Sequence, residues 1–296
     1  MEIKDKNGLT EREFLEQYRP GDYERPSVAA DIVLFTAANC EENNYRRLPK
    51  KTLQLLLIRR GGHPYLGSWA LPGGFVNPDE TTEQAARREL TEETGVDHIY
   101  LEQLYTFSEP HRDPRMWVMS CSYMALIDST KVQVEAGDDA ENAQWFNIQL
   151  LTVKEDVTEA EDGFVTVTDY LLTLQHDEEQ LYAEIRRIKT RNRTGTDVQY
   201  RIIRNVGLAF DHAKIITVAI ERLRGKLNYT DIALNLMPEY FTLTELQQVY
   251  EIILNKQLLK APFRRKYSIL VEETDKLTKD AGHRPSRLYR RSRKID

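Results

Sequence analysis

A dense pattern of glycine, arginine and glutamate within residues 74–96 constrains this chain more than any other feature. The segment reads GFVNPDETTEQAARRELTEETGV. The glycine, arginine and glutamate types are each used at about 7% and apolar residues at about a third, so a chance match to the whole pattern is expected about once in a billion start positions. The spacing therefore indicates a defined site rather than a bias in composition. The residues that carry it are Gly74, Glu80, Arg88, Glu89, Leu90, Glu92, Glu93, Gly95 and Val96.

The middle of this segment predicts a helix over Thr82–Glu93. Ala85, Ala86 and Leu90 recur at helical spacing and supply a small apolar face. Gly95 stands just past the expected end, where a residue in the left-handed conformation commonly caps a helix. The other face of this helix is left to charged side chains.

Three glutamates share one face of the predicted helix. Glu89, Glu92 and Glu93 stand at positions i, i+3 and i+4, where like charges repel by about 0.3 kcal/mol per pair. They also lie toward the C-terminal end, where the helix dipole disfavours anions. A bound divalent cation explains such a cluster, and oxygen ligands suit Mg²⁺ or Mn²⁺. The alternative is a solvated acidic face, the usual reason for a run of like charges.

The whole pattern is similar to the signature box of the Nudix hydrolases, with a match at every defining position. The resemblance implies an α+β fold, the Nudix α/β/α sandwich with a mixed sheet. It also implies metal-assisted cleavage of a nucleoside diphosphate linked to another moiety, in which Mg²⁺ or Mn²⁺ ions bridge the pyrophosphate and activate a water. The implied metal ligands are Gly73, through its carbonyl, Glu89, Glu92 and Glu93, and the implied catalytic residues are Glu92, Glu93 and Arg88.

Two segments beside the box resemble those of Nudix enzymes that act on ADP-ribose. Residues 59–74 read RRGGHPYLGSWALPGG, and residues 111–115 read HRDPR. Guanidinium groups near a turn fit phosphate or ribose oxygens, although ion pairing within the loop is a simpler alternative. The substrate-binding candidates are Arg59, Gly74, Arg112 and Arg115. Weaker candidates are Asp138, Asp139 and Glu141 as a catalytic base or extra metal ligand, and His63, which is expected to be structural.

Apolar runs on both sides of the box predict the strands of a sheet. They cover Ser27–Ala37, Thr52–Arg60, Ile99–Phe107 and Trp117–Ile127. Residues 152–205 resemble an insertion, with strands at Val165–Leu174 and Val198–Ile203. Between these strands, helical spacing of apolar residues predicts a short helix over Leu181–Ile188. The insertion would extend the sheet, hold a dimer or shape the pocket, and the sequence leaves these roles open.

The C-terminal part of the chain differs in charge and in pattern. From Lys226 to Asp296 there are 14 Lys and Arg against 9 Asp and Glu, a net charge of +5, whereas the remainder carries −11. An amphipathic helix over Leu208–Leu227 leads into this part, and a capping box at residues 242–245 opens another helix. Pro262 is placed to start a basic helix. The expected elements that follow are the helix Phe263–Ile269 and a wing formed by Leu270–Leu277 and Ser286–Arg290 around Gly282.

This order of helix, turn, basic helix and hairpin is similar to the winged helix-turn-helix domain of the Nudix-related transcriptional regulators, whose effector is often ADP-ribose. It predicts a Nudix domain over residues 1–227 and a winged helix-turn-helix domain over residues 228–296. The alternatives are a domain that serves dimerisation or pocket closure, or a basic tail that docks on the acidic body. The residues expected to contact double-stranded DNA are Arg264, Arg265, Lys266, Arg287 and Arg290.

Two functions fit these observations. The intact box favours Mg²⁺-dependent hydrolysis of ADP-ribose, or of a related nucleoside diphosphate sugar, to AMP and a sugar phosphate. The basic tail favours an ADP-ribose-responsive DNA-binding regulator of NAD or sugar metabolism. A protein with both activities satisfies both observations, whereas a house-cleaning nucleotide hydrolase leaves the tail without a role. The N-terminal segment does not resemble a signal peptide, and no apolar run reaches membrane-spanning length. Cys40 and Cys121 lack metal-type spacing, which favours a reducing cytoplasm. A homodimer is also expected.

Overall fold

The computed structural model describes residues 2–40, 49–95, 99–131, 143–278 and 285–292. No helix in these ranges is both long enough and apolar enough to cross a membrane. The residues named above that lie outside the described ranges are Val96, Asp138, Asp139, Glu141 and Gly282.

A mixed sheet forms the body of the protein. Its strands are β1 (Ser27–Asn39), β2 (Lys51–Arg59), β3 (Trp69–Ala70), β4 (Gly73–Phe75), β5 (Tyr100–Phe107), β6 (Val118–Ile127), β7 (Ala143–Ala160), β8 (Gly163–His176), β9 (Glu179–Asn192) and β10 (Thr196–Val206). The main order is β10-β9-β8-β7-β2-β1-β6-β5, with β3 paired to β2 and β4 paired to β1. In the described sheet β1 and β6 run parallel, and the other paired strands run antiparallel.

Helices cover both faces of the sheet, which confirms the expected α/β/α sandwich. They are α1 (Glu11–Gln17), α2 (Thr82–Thr94), α3 (His212–Lys226), α4 (Leu243–Leu254) and α5 (Lys260–Tyr267). The apolar face of α2 packs with Ile32 and Leu34 of β1. Val33 and Phe35 belong to the core that α3 and α4 form on the opposite face. Successive residues of a strand point to opposite faces, so β1 supplies side chains to both cores.

The helix α2 begins and ends where its sequence predicts. The Thr81 side chain accepts from the backbone N–H of Gln84 at 3.2 Å, and the Gln84 side chain accepts from the N–H of Thr81 at 2.8 Å. Gly95 ends the helix in the left-handed conformation, with a φ of 66°. These two caps set the position and length of the helix that carries the three glutamates.

The prediction of a short helix over Leu181–Ile188 is wrong. This stretch lies within β9, which pairs with β8 on one side and β10 on the other. Leu181 and Ala183 are buried, whereas Glu184 between buried neighbours is exposed, which is the alternation of a strand. Residues 152–205 therefore extend the sheet as a meander of antiparallel strands, one of the three roles left open by the sequence.

The C-terminal region forms two helices and a hairpin, as the winged helix-turn-helix pattern predicts. Thr242 caps α4 by accepting from the N–H of Glu245 at 3.2 Å, and Asn255 ends α4 with a φ of 51°. The basic helix α5 begins at Lys260 rather than Phe263 and ends at Tyr267 rather than Ile269, since a proline is tolerated within the first turn of a helix. A hairpin of β11 (Val271–Leu277) and β12 (Arg287–Arg291) follows. The apolar side chains of α4 join the core on the α3 face of the sheet. This region is thus packed directly on the Nudix-like body.

Candidate functional site

Strand β4 and the C-terminal half of α2 meet at the expected metal site. The backbone of Gly73 in β4 lies beside the carboxylate of Glu93. Burial, followed by the negative charge of Glu89, raises the pKa of Glu93 to about 8. In the described part of the chain the buried Oε2 of Glu93 has no hydrogen-bond partner. Burying a carboxylate oxygen without a hydrogen bond costs free energy unless the oxygen is protonated or binds a cation.

Arg88 orients the carboxylates around it. Its Nη1 donates to Glu89 at 2.7 Å and to Glu92 at 3.3 Å. Its Nε and Nη2 donate to the two carboxylate oxygens of Glu80 at 3.1 Å and 2.8 Å. Hydrogen bonding to Arg88 lowers the pKa of Glu80 to about 2. Arg88 is therefore held by Glu80 and in turn positions two of the expected metal ligands.

The two glycines before α2 permit two different close approaches. A Cβ at position 74 would lie 2.6 Å from the Cδ of Glu89 and would overlap its Oε1. A Cβ at position 73 would lie 2.9 Å from the Cα of Asp31 and would overlap the carbonyl oxygen of Ala30. Gly73 also has a φ of 145°, which L side chains rarely adopt. Gly74 thus makes room for a carboxylate, and Gly73 makes room for the backbone of β1.

The structure does not assemble the three glutamates into a ready-made metal site. Within the described ranges, no three His, Cys, Asp or Glu side chains form a group that would hold an ion. Arg88 engages Glu89 and Glu92, while Glu93 is turned to Gly73. The residues still fit a hard cation, because all the donors are oxygens and Glu93 keeps one oxygen unsatisfied. The contact between Arg88 and Glu92 is 3.3 Å long and Glu92 is 58% exposed, so it stabilises little by itself.

Arg112 does not face an open surface as the substrate-binding prediction requires. Its side chain is 6% exposed, and its guanidinium donates twice to Asp211, at 3.1 Å and 2.6 Å. Asp31 of β1 lies 3.7 Å away and accepts from the hydroxyl of Ser120 at 2.5 Å. Loss of either partner would leave an uncompensated charge in the protein interior. Arg112 therefore joins the loop after β5 to the start of α3.

His212 connects the same region to the backbone beside the metal site. Its Nδ1 accepts from the N–H of Leu71 at 2.9 Å. Burial lowers the pKa of His212, so the ring is neutral at pH 7 with its proton on Nε2.

The helix expected to begin at Leu208 begins at His212, because residues 207–209 hydrogen-bond to Trp69. His63, expected to be structural, lies exposed in the loop before β3.

Two other predicted substrate residues lie at the open side of the site. Arg115 donates to both carboxylate oxygens of Asp113, at 3.0 Å and 2.7 Å, and its Cζ lies 5.7 Å from the ring centroid of Phe75. Arg59 is exposed and donates to the carbonyl of Gly67 at 3.4 Å. The ion pair between Arg115 and Asp113 agrees with the alternative of ion pairing within the loop. The Arg115 side chain nevertheless remains 39% exposed.

The basic residues of the C-terminal region fall into two groups. Those on α5 are exposed and form no ion pair within the described part of the chain: Arg264, Arg265 and Lys266. On the hairpin, Arg287 is paired with Glu273, and Arg290 is paired with Glu272 at 3.2 Å. The helix α5 therefore offers its cations to a partner more directly than the hairpin does.

Helix α3 links the site to the C-terminal region. Its first turn follows Asp211, the partner of Arg112. Near its other end Arg224 donates to the carbonyls of Ile253 on α4 and Leu150 on β7, both at 2.8 Å. Sequence reasoning missed Asp31 at the first end and Arg224 at the second, and it predicted only capping and packing for Asp211 and His212. Each gains its role from a contact between distant segments, for which no local pattern exists.

Comparison with known families divides the chain in two. The NUDIX domain model matches residues 46–167. The NrtR DNA-binding winged helix domain model matches residues 233–291. The first match contains β4 and α2, and the second contains α4, α5 and the hairpin. The two matched ranges therefore contain the two predicted sites.

Two characterised relatives align with different shares of the chain. An ADPR responsive transcriptional repressor NtrR of Acinetobacter baylyi is 34% identical over 288 residues, which are 96% of this chain and 89% of that protein. An ADP-ribose pyrophosphatase of Methanocaldococcus jannaschii is 36% identical over 143 residues, which are 48% of this chain and 73% of that enzyme. The first alignment spans both matched regions, and the second is confined to about half of the chain.

Two crystal structures resemble the whole fold. A MutT/nudix family protein from Enterococcus faecalis is 31% identical with a TM-score of 0.65, and the match covers 96% of this chain and 94% of that one. Shewanella oneidensis NrtR complexed with a 27mer DNA is 27% identical with a TM-score of 0.57, covering 90% and 93%. The chain therefore belongs to the family of Nudix-domain proteins that carry an NrtR DNA-binding winged helix domain.

Proposed function

We propose that the protein is a Mg²⁺- or Mn²⁺-dependent pyrophosphohydrolase that converts ADP-ribose, or a related nucleoside diphosphate sugar, to AMP and a sugar phosphate. The observation that carries this proposal is Glu93, a buried carboxylate with an unsatisfied oxygen beside Gly73. The complete signature box and the similarity to an ADP-ribose pyrophosphatase support it.

The side chains around Glu93 have separate tasks in such a reaction. Glu89, Glu92, Glu93 and the carbonyl of Gly73 would hold the divalent ion, which when bound neutralises pyrophosphate charge and lowers the pKa of water. Arg88 keeps Glu89 and Glu92 on the same side of α2. Burial and the charge of Glu89 raise the pKa of Glu93, whereas a bound cation would favour its charged form.

The test is the rate of AMP release from ADP-ribose by the full chain with Mg²⁺. We expect Glu93→Gln to lower the rate by about a hundredfold or more, because the amide cannot replace a charged ligand. Glu83→Gln is the matched control, since Glu83 lies exposed on the same helix and pairs only with Arg87 among the described residues. An unchanged rate in Glu93→Gln would refute the assignment of Glu93 as a metal ligand.

A second activity is proposed from the C-terminal region, namely ADP-ribose-responsive binding of double-stranded DNA. The exposed cations of α5 support it, since unpaired guanidinium and ammonium groups suit phosphate contacts. Similarity to a repressor named ADPR responsive, and to an NrtR crystallised with DNA, supports it as well. The two activities are compatible, because ADP-ribose would bind as an effector at the same site that hydrolyses it.

This activity is tested by titrating the full chain with duplex DNA from the region upstream of its own gene. We expect salt-dependent binding that ADP-ribose weakens, and a salt slope smaller by about one in Arg265→Ala. Arg193→Ala is the control, because Arg193 is exposed at the far turn between β9 and β10. Absence of binding at low salt to any such fragment would remove this second proposal and leave the first intact.

A further inference from the structure

A group of aromatic rings and guanidiniums surrounds Phe210, just before α3. The Cζ atoms of Arg60 and Arg115 lie 4.9 Å and 5.8 Å from its ring centroid. The ring of Tyr65 lies 4.7 Å from it, and Arg115 also lies over Phe75. We call these five residues the Phe210 cluster. Its members come from four separate segments, so only the tertiary structure brings them together.

Arg60 is the unusual member of the Phe210 cluster. Its Nε donates to the carbonyl of Pro64 at 2.8 Å, and within the described residues it forms no ion pair. Arg115, by contrast, is paired with Asp113. Burial and the positive charge of Arg115 lower the pKa of Arg60, and the charge of Asp113, which is paired with Arg115, offsets this only in part. A half-buried cation that faces another cation, with no acid of its own, is suited to an anionic ligand.

The rings of the Phe210 cluster are open to a ligand on their outer side. Tyr65 is 41% exposed and Phe75 is 43% exposed. Large exposed rings beside guanidinium groups are suited to stacking with a nucleobase. Tyr65 and Phe210 also have positive φ angles of 61° and 49°. Bulky residues rarely adopt this conformation, and such strained positions concentrate at ligand sites.

The Phe210 cluster lies within reach of the metal site around one short strand. In β4 the Cβ direction of Gly74 points to Glu89, so the next side chain, Phe75, points to the other face. Among the described strands β4 pairs with β1 only, so its second edge forms no ladder with another described strand. A ligand that crosses this edge would meet the glutamates on one face and the Phe210 cluster on the other.

We propose that the Phe210 cluster binds the nucleoside monophosphate part of a nucleoside diphosphate ligand. The base would lie against Tyr65 and Phe75, and a phosphate would accept from the guanidinium of Arg60. This assignment rests on the proposed function, because it takes the remainder of the ligand to lie at the glutamates. It adds Arg60, Phe210 and two aromatic residues to a site for which the sequence suggested other arginines.

The test is calorimetric titration of the full chain in EDTA, which prevents turnover, with ADP-ribose, AMP, adenosine and ribose 5-phosphate. Arg60→Gln should weaken AMP and ADP-ribose by about tenfold or more but leave adenosine unchanged. Tyr65→Leu should weaken AMP and adenosine by about fivefold or more but leave ribose 5-phosphate unchanged. Arg60→Lys should restore part of the loss, and Arg193→Gln should match the wild type.

The outcomes separate a binding role from a structural one. A merely structural Arg60 would lower the affinity for all four probes together with the melting temperature, and that result would overturn the assignment. Unchanged AMP affinity in Arg60→Gln would overturn it as well. If the wild type hydrolyses ADP-ribose while Arg60→Gln binds normally, the subsite alone is wrong. If the wild type neither binds nor hydrolyses ADP-ribose, the proposed function fails and the subsite fails with it.

Discussion

Replacing Gly74 by alanine should separate the assembly of the metal site from the stability of the fold. The new Cβ would lie 2.6 Å from the Cδ of Glu89. Carbon atoms prefer a separation of about 3.5 Å or more, so the carboxyl group must retreat by about 1 Å. A displacement of this size in a catalytic group costs about a hundredfold in rate. The atoms that the new Cβ would crowd form the end of the Glu89 side chain, so they can move while the backbone of β4 stays in place.

We would measure AMP release from ADP-ribose with Mg²⁺ and, in parallel, unfolding by urea. The expected result for Gly74→Ala is a rate lower by about a hundredfold with an unfolding free energy within about 1 kcal/mol of the wild type.

The reasoning would be refuted if Gly74→Ala hydrolysed ADP-ribose at the wild-type rate, because Glu89 would then not need its present position. It would also be refuted if rate and stability fell together, because the clash would then reach the backbone.

Three other predictions follow from the packing around this site. Gly73→Ala should lower the unfolding free energy by about 2 kcal/mol or more in urea melts, because its φ is 145° and its Cβ would overlap the backbone of Ala30. Asp211→Ala should cost about 3 kcal/mol in the same assay, because it strands the buried guanidinium of Arg112; a loss below about 1 kcal/mol would contradict this. Burial lowers the pKa of His212, so the unfolded state binds the proton more readily and stability should fall as the pH drops below about 6.5. His212→Gln should flatten that dependence, and an equal slope in both proteins would argue against it.

Local patterns were sufficient for the helix that carries the glutamates and for the C-terminal helices. The Thr81 capping box and the left-handed Gly95 act within a few residues of α2, so nothing distant is needed to locate its ends. The same holds for Thr242 and Asn255 at the ends of α4. Capping satisfies backbone groups through neighbours in sequence, which is why these features can be predicted from sequence alone.

Periodicity alone was insufficient in the extended part of the sheet. Leu181, Ile185 and Ile188 fit a helix, but Leu181, Ala183 and Ile185 fit a strand equally well. The choice is made by β8 and β10, which pair with both edges of β9. Partners of this kind satisfy the backbone groups of a strand, and they are contributed by other segments of the chain.

The sequence by itself determined the family, the helix that carries the three glutamates, and the division between an acidic body and a basic C-terminal region. Only the tertiary structure decided which arginines are available to a ligand. Arg112 forms an ion pair with Asp211, which lies 99 residues away in the sequence. Arg60, in contrast, lies beside Phe210 and forms no ion pair within the described residues. The physical reason is that the availability of a charge depends on its nearest opposite charge and on its burial. The nearest opposite charge and the burial both depend on packing between distant segments, so the residues next to a charged residue in the sequence do not determine them.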